Sequence, residues 1–298
     1  MRVGVIVLPL GRWAERVSRW RAVEELGFDH AWTYDHLTWN PLAGLPWGAT
    51  IPELVAAAGV TSRIPLGTWV ASPNYRHPVP FARELVALDD ISGGRAVLGI
   101  GAGAGAPASD AVVLGNPPLG PAERAARLEE FVEVLDAVLT RPRTSHDGAY
   151  FQAVDADTTL ACVQQPRIPF VVAANGPRLM RLSARFGAGW ATTGTTSVLR
   201  GETDDNAWWD GVAGLARRFD EVLDAAGRAP SSVDRMLSVD AAPTFALVSA
   251  DHFEDVVGRA AALGFTDVVV HWPVPGGARY DAPESMVEAI AARLPGLR

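Results

Sequence analysis

The sequence contains no lysine, so all 26 of its basic residues are arginines. This absence excludes a Schiff-base nucleophile and the lysine of a nucleotide-binding P-loop. An anionic ligand must therefore be held by arginine, by backbone N–H groups or by a helix N-terminus. The net charge is −8 and the arginines are scattered along the chain, so we expect no nucleic-acid partner.

Cysteine is almost absent as well, since Cys162 stands alone. A single cysteine excludes an internal disulfide and a cysteine-ligated zinc site, and it is typical of a reducing compartment. No run of about 18 apolar residues occurs, so no membrane span is expected. The first apolar run is short and ends at Pro9, which is unlike a secretory signal peptide. The sequence therefore predicts a cytoplasmic protein.

The motifs of serine hydrolases and zinc peptidases are also missing. One dinucleotide-like motif is present, because Gly99 to Ala104 reads G-x-G-x-x-A after an apolar run. A Rossmann fingerprint would open a helix at once, whereas a proline-rich loop follows here. We interpret the glycines as a strand end. They make room either for a bound ligand or for neighbouring backbone inside a barrel, and both readings stay open.

Short apolar runs alternate with amphipathic segments along the whole chain. We predict strands at Val3–Val7, His30–Tyr34, Pro65–Ala71, Ala96–Gly101, Phe170–Ala174, Gly189–Thr193, Met236–Ala241 and Asp267–Trp272. We predict helices at Arg12–Leu26, Pro52–Val60, Pro78–Ile91, Ala122–Leu139, Arg178–Phe186, Asn206–Ala226, Phe253–Leu263 and Glu284–Leu294. Eight βα pairs favour a (β/α)8 TIM barrel over a doubly wound sheet.

Two features refine this α/β architecture. The segment from Thr140 to Pro169 alternates like strands and contains turn residues, so we predict a hairpin-like insertion between the fourth helix and the fifth strand. No Pro/Gly/Ser-rich linker divides the chain, so residues 1–298 are predicted to form a single domain.

Active sites of such barrels lie at the carboxyl ends of the strands. Asp35 and His36 follow the second strand, and a carboxylate beside an imidazole suits proton transfer, although a turn cap and a surface histidine would look the same. Asn175 to Arg178 open a helix after the fifth strand, which is either an anion site or a plain turn. His271 ends the eighth strand, where it could line a pocket.

Four segments carry a family resemblance: Gly27–His36, Leu66–Pro78, Leu88–Gly103 and Ala174–Trp190. The run from Arg76 to Gly103 is the most specific part. Together they resemble the bacterial-luciferase-like oxidoreductase superfamily, whose barrels bind a flavin or the deazaflavin coenzyme F-420 (F420). The resemblance weakens after Asp204, where only the barrel pattern continues.

The resemblance implies roles for individual residues. It implies a bulge at Trp69–Val70, often with a non-prolyl cis peptide, that backs the redox ring. The implied cofactor-binding residues are Trp69, Val70, Gly101, Ala102, Gly103, Ala174, Asn175, Gly176, Pro177 and Arg178, of which those from Asn175 onward would receive phosphate. His36, with Asp35 behind it, would handle the proton. Sugar-phosphate dehydrogenases of this group carry a glutamate where this chain has Ala104, which places that chemistry in doubt.

These implications predict hydride transfer between F420 and a small or medium, mainly apolar electrophile with an activated C=C or C=N bond. The predicted substrate-side residues are Trp39, Trp47, Thr192, Thr193 and His271. The alternatives are an FMN-dependent monooxygenase with a partner reductase, a non-catalytic flavin-binding protein, and an unrelated barrel lyase or isomerase. We also expect a homodimer that forms through the second and third helices. A separate flavin or deazaflavin reductase is a possible partner, and no metal site is expected.

Overall fold

The computed structural model describes residues 1–39, 42, 44–105, 110–195, 204–277 and 279–297. The strands are β1 (Arg2–Ile6), β2 (His30–Thr33), β3 (Leu66–Thr68), β4 (Ala96–Ile100), β5 (Arg143–Asp147), β6 (Gln152–Asp157), β7 (Phe170–Ala173), β8 (Gly189–Thr192), β9 (Asp234–Ser238) and β10 (Asp267–His271). The α-helices are α1 (Trp13–Glu25), α2 (Thr50–Ala58), α3 (Pro78–Ser92), α4 (Asp110–Val113), α5 (Pro121–Thr140), α6 (Pro177–Phe186), α7 (Asp205–Ala225), α8 (Ala250–Ala262), α9 (Ser285–Ala291) and α10 (Leu294–Leu297).

The strands close into a barrel in the order β1-β10-β9-β8-β7-β4-β3-β2. The recorded pairs within it are parallel, for example Val5 with Val270 and Val5 with Ala31. Strands β2, β8 and β10 are buried along their whole length, as expected where helices cover a parallel sheet. Each predicted strand and helix overlaps an observed one, so the predicted (β/α)8 TIM barrel is confirmed.

The predicted insertion is confirmed too. Strands β5 and β6 pair antiparallel between α5 and β7. Glu130 on α5 accepts hydrogen bonds from the backbone N–H groups of Phe151 (2.7 Å) and Tyr150 (3.0 Å), which holds the hairpin against the helix. Burial alone would raise the pKa of Glu130, but these two N–H groups and His146 lower it below its ordinary value.

Contacts divide the chain into two compact units. The first unit comprises Met1–Leu8, Arg19–Trp32 and Val171–Arg298, and the second comprises Pro9–Ser18 and Thr33–Phe170. The single-domain prediction for residues 1–298 stays a prediction.

In the first unit, Trp190 of β8 is fully buried between two aromatic rings. Its ring stacks on Phe219 at 4.3 Å and on Phe265 at 5.7 Å, and its Nε1–H donates to the carbonyl of Ala174 at 2.8 Å. Because the indole has both apolar contact and a hydrogen-bond partner, it fills this core without leaving a buried polar group unpaired.

The same unit contains a buried polar chain that begins at His30. The ring accepts a hydrogen bond from Trp32 Nε1 at 2.6 Å on Nδ1 and contacts Asp267 at 2.9 Å through Nε2. A Cβ on Gly4 would lie only 1.9 Å from His30 Nδ1, so the histidine ring occupies the space that a side chain at position 4 would need. His30 is therefore a core residue.

In the second unit, α3 packs with α5 around Phe81, Phe131 and Phe151. Helix α3 starts at Pro78 with His77 as its N-cap, since His77 Nδ1 accepts from the N–H of Val79 at 3.3 Å. Proline at this position loses no helical hydrogen bond. His77 therefore caps α3.

Candidate active site

The predicted site residues lie at the carboxyl ends of barrel strands or in the segments that follow them, of which Trp47 is the most distant in sequence. In the second unit, His36 follows β2, Trp69 follows β3 and Gly101 follows β4. In the first unit, Ala174 follows β7, whereas Thr192 and His271 are the last residues of β8 and β10. Each unit therefore carries its own cluster at the end of the strands where barrel enzymes place their chemistry.

His36 makes a close pair with an aspartate that sequence reasoning missed. Its Nδ1 lies 2.9 Å from Oδ2 of Asp110, the first residue of α4. The other carboxylate oxygen, Oδ1, accepts from the backbone N–H of Leu37 at 2.8 Å. Asp110 is 1% exposed, so this carboxylate is shielded from water and its interactions are strengthened.

Aromatic side chains surround His36. Its ring stacks on Trp39 with centroids 4.9 Å apart, and Tyr34 meets it edge-on at 5.8 Å. Trp47 donates from Nε1 to the backbone carbonyl of His36 at 2.8 Å. Trp39 Nε1 is buried and has no hydrogen-bond partner among the described residues, and Thr33 Oγ1 at the end of β2 shares this property. The cluster restrains the imidazole and leaves the unpaired Trp39 Nε1 on the ring that stacks against it.

Asp35 does not contact His36, contrary to the expectation that it stands behind the ring. It is fully buried, and it accepts from Tyr75 Oη at 2.5 Å and from Arg76 at 2.7 and 3.2 Å. Both partners follow β3, so the carboxylate joins the segments after two neighbouring strands. Burial and the nearby Asp35 charge raise the pKa of Tyr75 above its ordinary value, so the phenol stays protonated. Arg76 thus forms a salt bridge with Asp35, and a second one with Glu84.

The backbone after β3 forms the predicted bulge. Leu66 pairs with Ala96, whereas Ala71 pairs with Ile100, so the β3 side carries an extra residue. The peptide bond between Trp69 and Val70 is cis, as the resemblance implied. Pairing resumes when Ala71 N–H donates to Gly99 at 2.8 Å.

The glycines of the motif pack against this bulge. A Cβ on Gly99 would lie 2.1 Å from the carbonyl oxygen of Thr68, so close backbone approach requires glycine there. Gly103 has a φ of 73°, and its Cβ would lie 2.3 Å from Nδ2 of Asn74. Of the two open readings, crowding accounts for both positions. Ala102 and Gly103 remain partly accessible at the strand end.

In the first unit, the side chain of Asn175 makes hydrogen bonds to the last residue of β8 and to the turn that follows it. Its Nδ2 donates to the carbonyl of Gly194 at 2.8 Å, and its Oδ1 accepts from Thr192 Oγ1 at 2.6 Å. Gly176, Pro177 and Arg178 are exposed at the start of α6, which has no side-chain cap. This helix start therefore has no side-chain cap, and the Asn175 amide is bonded to the turn after β8 instead.

His271 is 2% exposed and lies inside the first unit. Its Nδ1 is 3.0 Å from Oδ2 of Asp240, and its ring stacks on Tyr280 at 3.7 Å with an angle of 8°. Burial lowers the pKa of His271 below its ordinary value, although Asp240 acts in the opposite direction. The imidazole is therefore neutral at physiological pH. Beside it, Trp272 Nε1 is buried without a partner among the described residues.

Among the described residues, no three or more His, Cys, Asp or Glu side chains are grouped so that they could hold a metal ion. None of the described helices has the length and hydropathy needed to cross a bilayer.

Comparison with known proteins identifies similar sequences. A family model described as luciferase-like monooxygenase matches residues 1–244. An F420-dependent glucose-6-phosphate dehydrogenase of Nakamurella multipartita is 35% identical over 209 residues, which are 67% of this chain and 58% of that protein. A 5,10-methylenetetrahydromethanopterin reductase of Methanopyrus kandleri is 29% identical over 197 residues, 62% of this chain and 53% of the relative. The chain thus spans only 58% of the first of these relatives.

Solved structures share the fold over the whole chain. The coenzyme F420-dependent tetrahydromethanopterin reductase of Methanopyrus kandleri superposes with a TM-score of 0.76 at 20% identity, covering 100% of this chain and 99% of the other. An F420-dependent secondary alcohol dehydrogenase in complex with an F420-acetone adduct gives a TM-score of 0.78 at 16% identity, with the same coverage of 100% and 99%. At these identities the similarity establishes the barrel fold.

Proposed function

The chain belongs to the luciferase-like monooxygenase family, and from this membership we propose that it is an oxidoreductase that transfers hydride between F420 and a small or medium, mainly apolar electrophile. The name of the relative from Nakamurella multipartita supports the cofactor, since that protein is an F420-dependent glucose-6-phosphate dehydrogenase. The observation that carries the proposal is the buried pair of His36 and Asp110, stacked on Trp39 at the carboxyl end of β2. An imidazole held in this way suits proton transfer beside a hydride acceptor.

The residues of this end of β2 fit a polar heterocycle. Buried polar groups in proteins are normally paired, yet Trp39 Nε1 and Thr33 Oγ1 have no partner among the described residues. The polar edge of a deazaflavin or its substrate would satisfy them. When bound, F420 supplies a hydride and does not activate oxygen usefully. The residues proposed to back the ring are Trp69, Val70, Gly101, Ala102 and Gly103.

The start of α6 is the proposed phosphate-binding element. The first turn has no side-chain cap, so we propose that its backbone N–H groups bind the phosphate; Pro177 has no N–H, and Arg178 adds a positive charge. Asn175 and Ala174 shape this turn, because the Asn175 side chain is bonded to Thr192 and Gly194. A chain without lysine needs such a site to hold an anionic cofactor.

His36 is the proposed proton donor and acceptor. Its Nδ1 is held by Asp110, so Nε2 is the ring nitrogen that exchanges a proton with the substrate. The proposed substrate side consists of Trp39, Trp47, Thr192, Thr193 and His271, whose aromatic members favour an apolar substrate. Because Ala104 stands where sugar-phosphate dehydrogenases of the family carry a glutamate, we propose an activated C=C or C=N bond rather than a sugar phosphate.

Cofactor titration tests the proposal directly. Purified protein is titrated with F420 and with FMN, and binding is followed by fluorescence and absorbance. We expect saturable F420 binding and oxidation of the reduced coenzyme by a panel of enones and imines, without oxygen consumption. FMN binding with oxygen consumption would replace the proposal with a monooxygenase that needs a separate reductase. Binding of neither cofactor would overturn both.

A pair of histidine variants then tests the proton role. His36→Gln is expected to lower kcat by about 10²- to 10⁴-fold, the usual contribution of general acid–base catalysis, with unchanged F420 affinity. His252→Gln on α8 is the matched control and should leave kcat unchanged, because α8 contains none of the proposed site residues. Equal activity of the two variants would remove His36 from the mechanism.

The predicted homodimer through α2 and α3 and the cytoplasmic location stay predictions. Light scattering coupled to size exclusion reports the oligomeric state directly. A monomer at working concentrations would contradict the dimer without affecting the proposed chemistry.

A further inference from the structure

We propose that Asp110 is the positioning residue of His36, which fixes the tautomer and the orientation of the ring for the proton step. The role rests on the proposed function, while the tautomer itself can be measured without any cofactor. Position 110 lies outside the segments that carry the family resemblance, and no sequence motif singles it out.

The first argument is the way in which one carboxylate holds both ring and backbone. Oδ2 lies 2.9 Å from His36 Nδ1, and Oδ1 accepts from the N–H of Leu37 at 2.8 Å. The two contacts fix the carboxylate against the residue that follows the ring, so the ring cannot turn about its bonds without breaking one of them. With 1% exposure, Asp110 has little water to compete for these bonds.

The second argument is the chemistry of the acceptor. An ionised carboxylate only accepts hydrogen bonds, so His36 Nδ1 must carry a hydrogen. The neutral ring then has its lone pair on Nε2, and this single tautomer is ready to take a proton there. After protonation, Asp110 balances the imidazolium charge. When Nε2 gives its proton to the substrate, the ring returns to the same Nδ1–H tautomer, so the cycle needs no rotation of the ring.

The third argument excludes the neighbouring acid. Asp35 is the sequence neighbour of His36, but its oxygens accept from Tyr75 and Arg76. Its charge is therefore balanced by the Arg76 guanidinium, which also pairs with Glu84 at 2.8 Å. Asp110 has no such cation among its contacts in the described structure and is the acid that contacts the imidazole.

The ring has further restraints that complement this carboxylate. Trp39 covers one of its faces, and Trp47 holds its backbone carbonyl. Neither contact distinguishes the two ring nitrogens, so the choice of tautomer depends on Asp110. In family members with an acid directly after the glycine run, that acid would stand at position 104. In this chain the carboxylate is that of Asp110, six positions later at the start of α4.

Heteronuclear NMR of nitrogen-labelled histidine rings tests the tautomer in the full-length protein without cofactor. The chain has six histidines, and His36→Gln identifies the signals of His36 by their loss. We expect the wild-type ring to show the Nδ1–H pattern in its neutral form. Asp110→Ala should shift it toward the mixture of free imidazole, and Asp110→Glu should restore Nδ1–H in part. Asp210→Asn, an exposed acid on α7, is the control and should change nothing.

Kinetics test the positioning role. We expect Asp110→Ala to lower kcat by about 10- to 100-fold, a part of the total acid–base contribution, with KM for F420 unchanged and Asp110→Glu partly active. A wild-type ring in the Nε2–H form, or one unaffected by Asp110→Ala, would overturn the proposal whatever the activity. Unchanged kcat in Asp110→Ala would refute positioning while the proposed function stands. If no substrate turns over, the proposed function fails, and the wild-type tautomer still decides for or against Asp110.

Discussion

The buried cluster of Asp35, Tyr75 and Arg76 yields a quantitative prediction about stability. Asp35→Asn keeps the shape of the side chain but removes the charge that the Arg76 guanidinium faces. Breaking one side of a buried ion pair costs about 3–5 kcal/mol, because the other charge is left unpaired. Arg76 is 15% exposed in its side chain and retains Glu84, so the lower end applies. We expect a loss of about 3 kcal/mol in the free energy of unfolding.

In a chain of this length, about 3 kcal/mol corresponds to a fall in Tm of roughly 6 °C. The assay is urea unfolding followed by tryptophan fluorescence, with calorimetry for Tm. The matched control is Glu84→Gln, which removes the other acid on the same arginine. Because Glu84 is 44% exposed in its side chain, this change should cost less than about 1 kcal/mol.

The same pair of variants decides between two roles of Asp35. If Asp35→Asn is as stable as Glu84→Gln, the reasoning from burial is refuted. If it is also inactive with normal stability, the catalytic role predicted for Asp35 from the sequence gains support. Loss of stability with a kcat near that of wild type at low temperature would establish that Asp35 anchors the fold around the site.

Three further perturbations follow from the structure. Because burial and a nearby carboxylate raise the pKa of Tyr75, only the unfolded state loses this proton as pH rises above about 10. Wild-type stability should therefore fall there, and Tyr75→Phe should reduce that slope in alkaline urea titrations. Gly99→Ala should lower the free energy of unfolding by about 2–3 kcal/mol, because its Cβ would meet the carbonyl oxygen of Thr68 in β3. Gly176→Ala is the control and should leave stability unchanged, because its Cβ would meet nothing within 4 Å. Thermal melts measure both. Because burial lowers the pKa of His271, the unfolded state gains a proton first as pH drops below about 6.5. Stability should decline there, and less so in His271→Gln.

The fold could be predicted because its signals are local. Helix α3 illustrates this, since Pro78 opens it and Gly93, with a φ of 68°, closes it. The alternation of such helices with apolar strands then favours the parallel (β/α)8 barrel. The third strand was predicted to be longer than β3, because the bulge after Thr68 interrupts the ladder without changing the apolar character of the sequence.

The candidate site was only partly predictable. His36 could be found from its place after a strand and the resemblance that assigns it a role. Its partner Asp110 could not, because it lies 74 residues away in the sequence and belongs to another element, α4. The adjacent Asp35 was the natural choice in sequence, yet two residues after β3 bind it instead. Tertiary pairing of polar groups is decided by burial and geometry that no short motif encodes.

The contact between Gly4 and His30 has a consequence for how this sequence can change. The His30 ring fills the volume that a side chain at position 4 would need. A residue larger than glycine can therefore be accepted at position 4 only after His30 has been replaced by a smaller residue. Loss of the ring would remove the hydrogen bonds that it makes with Trp32 Nε1 and Asp267, although Asp267 would keep those from Arg2 and Thr266. The order of substitutions at positions 4 and 30 is therefore constrained. Members of this family should either keep both Gly4 and His30 or have both replaced.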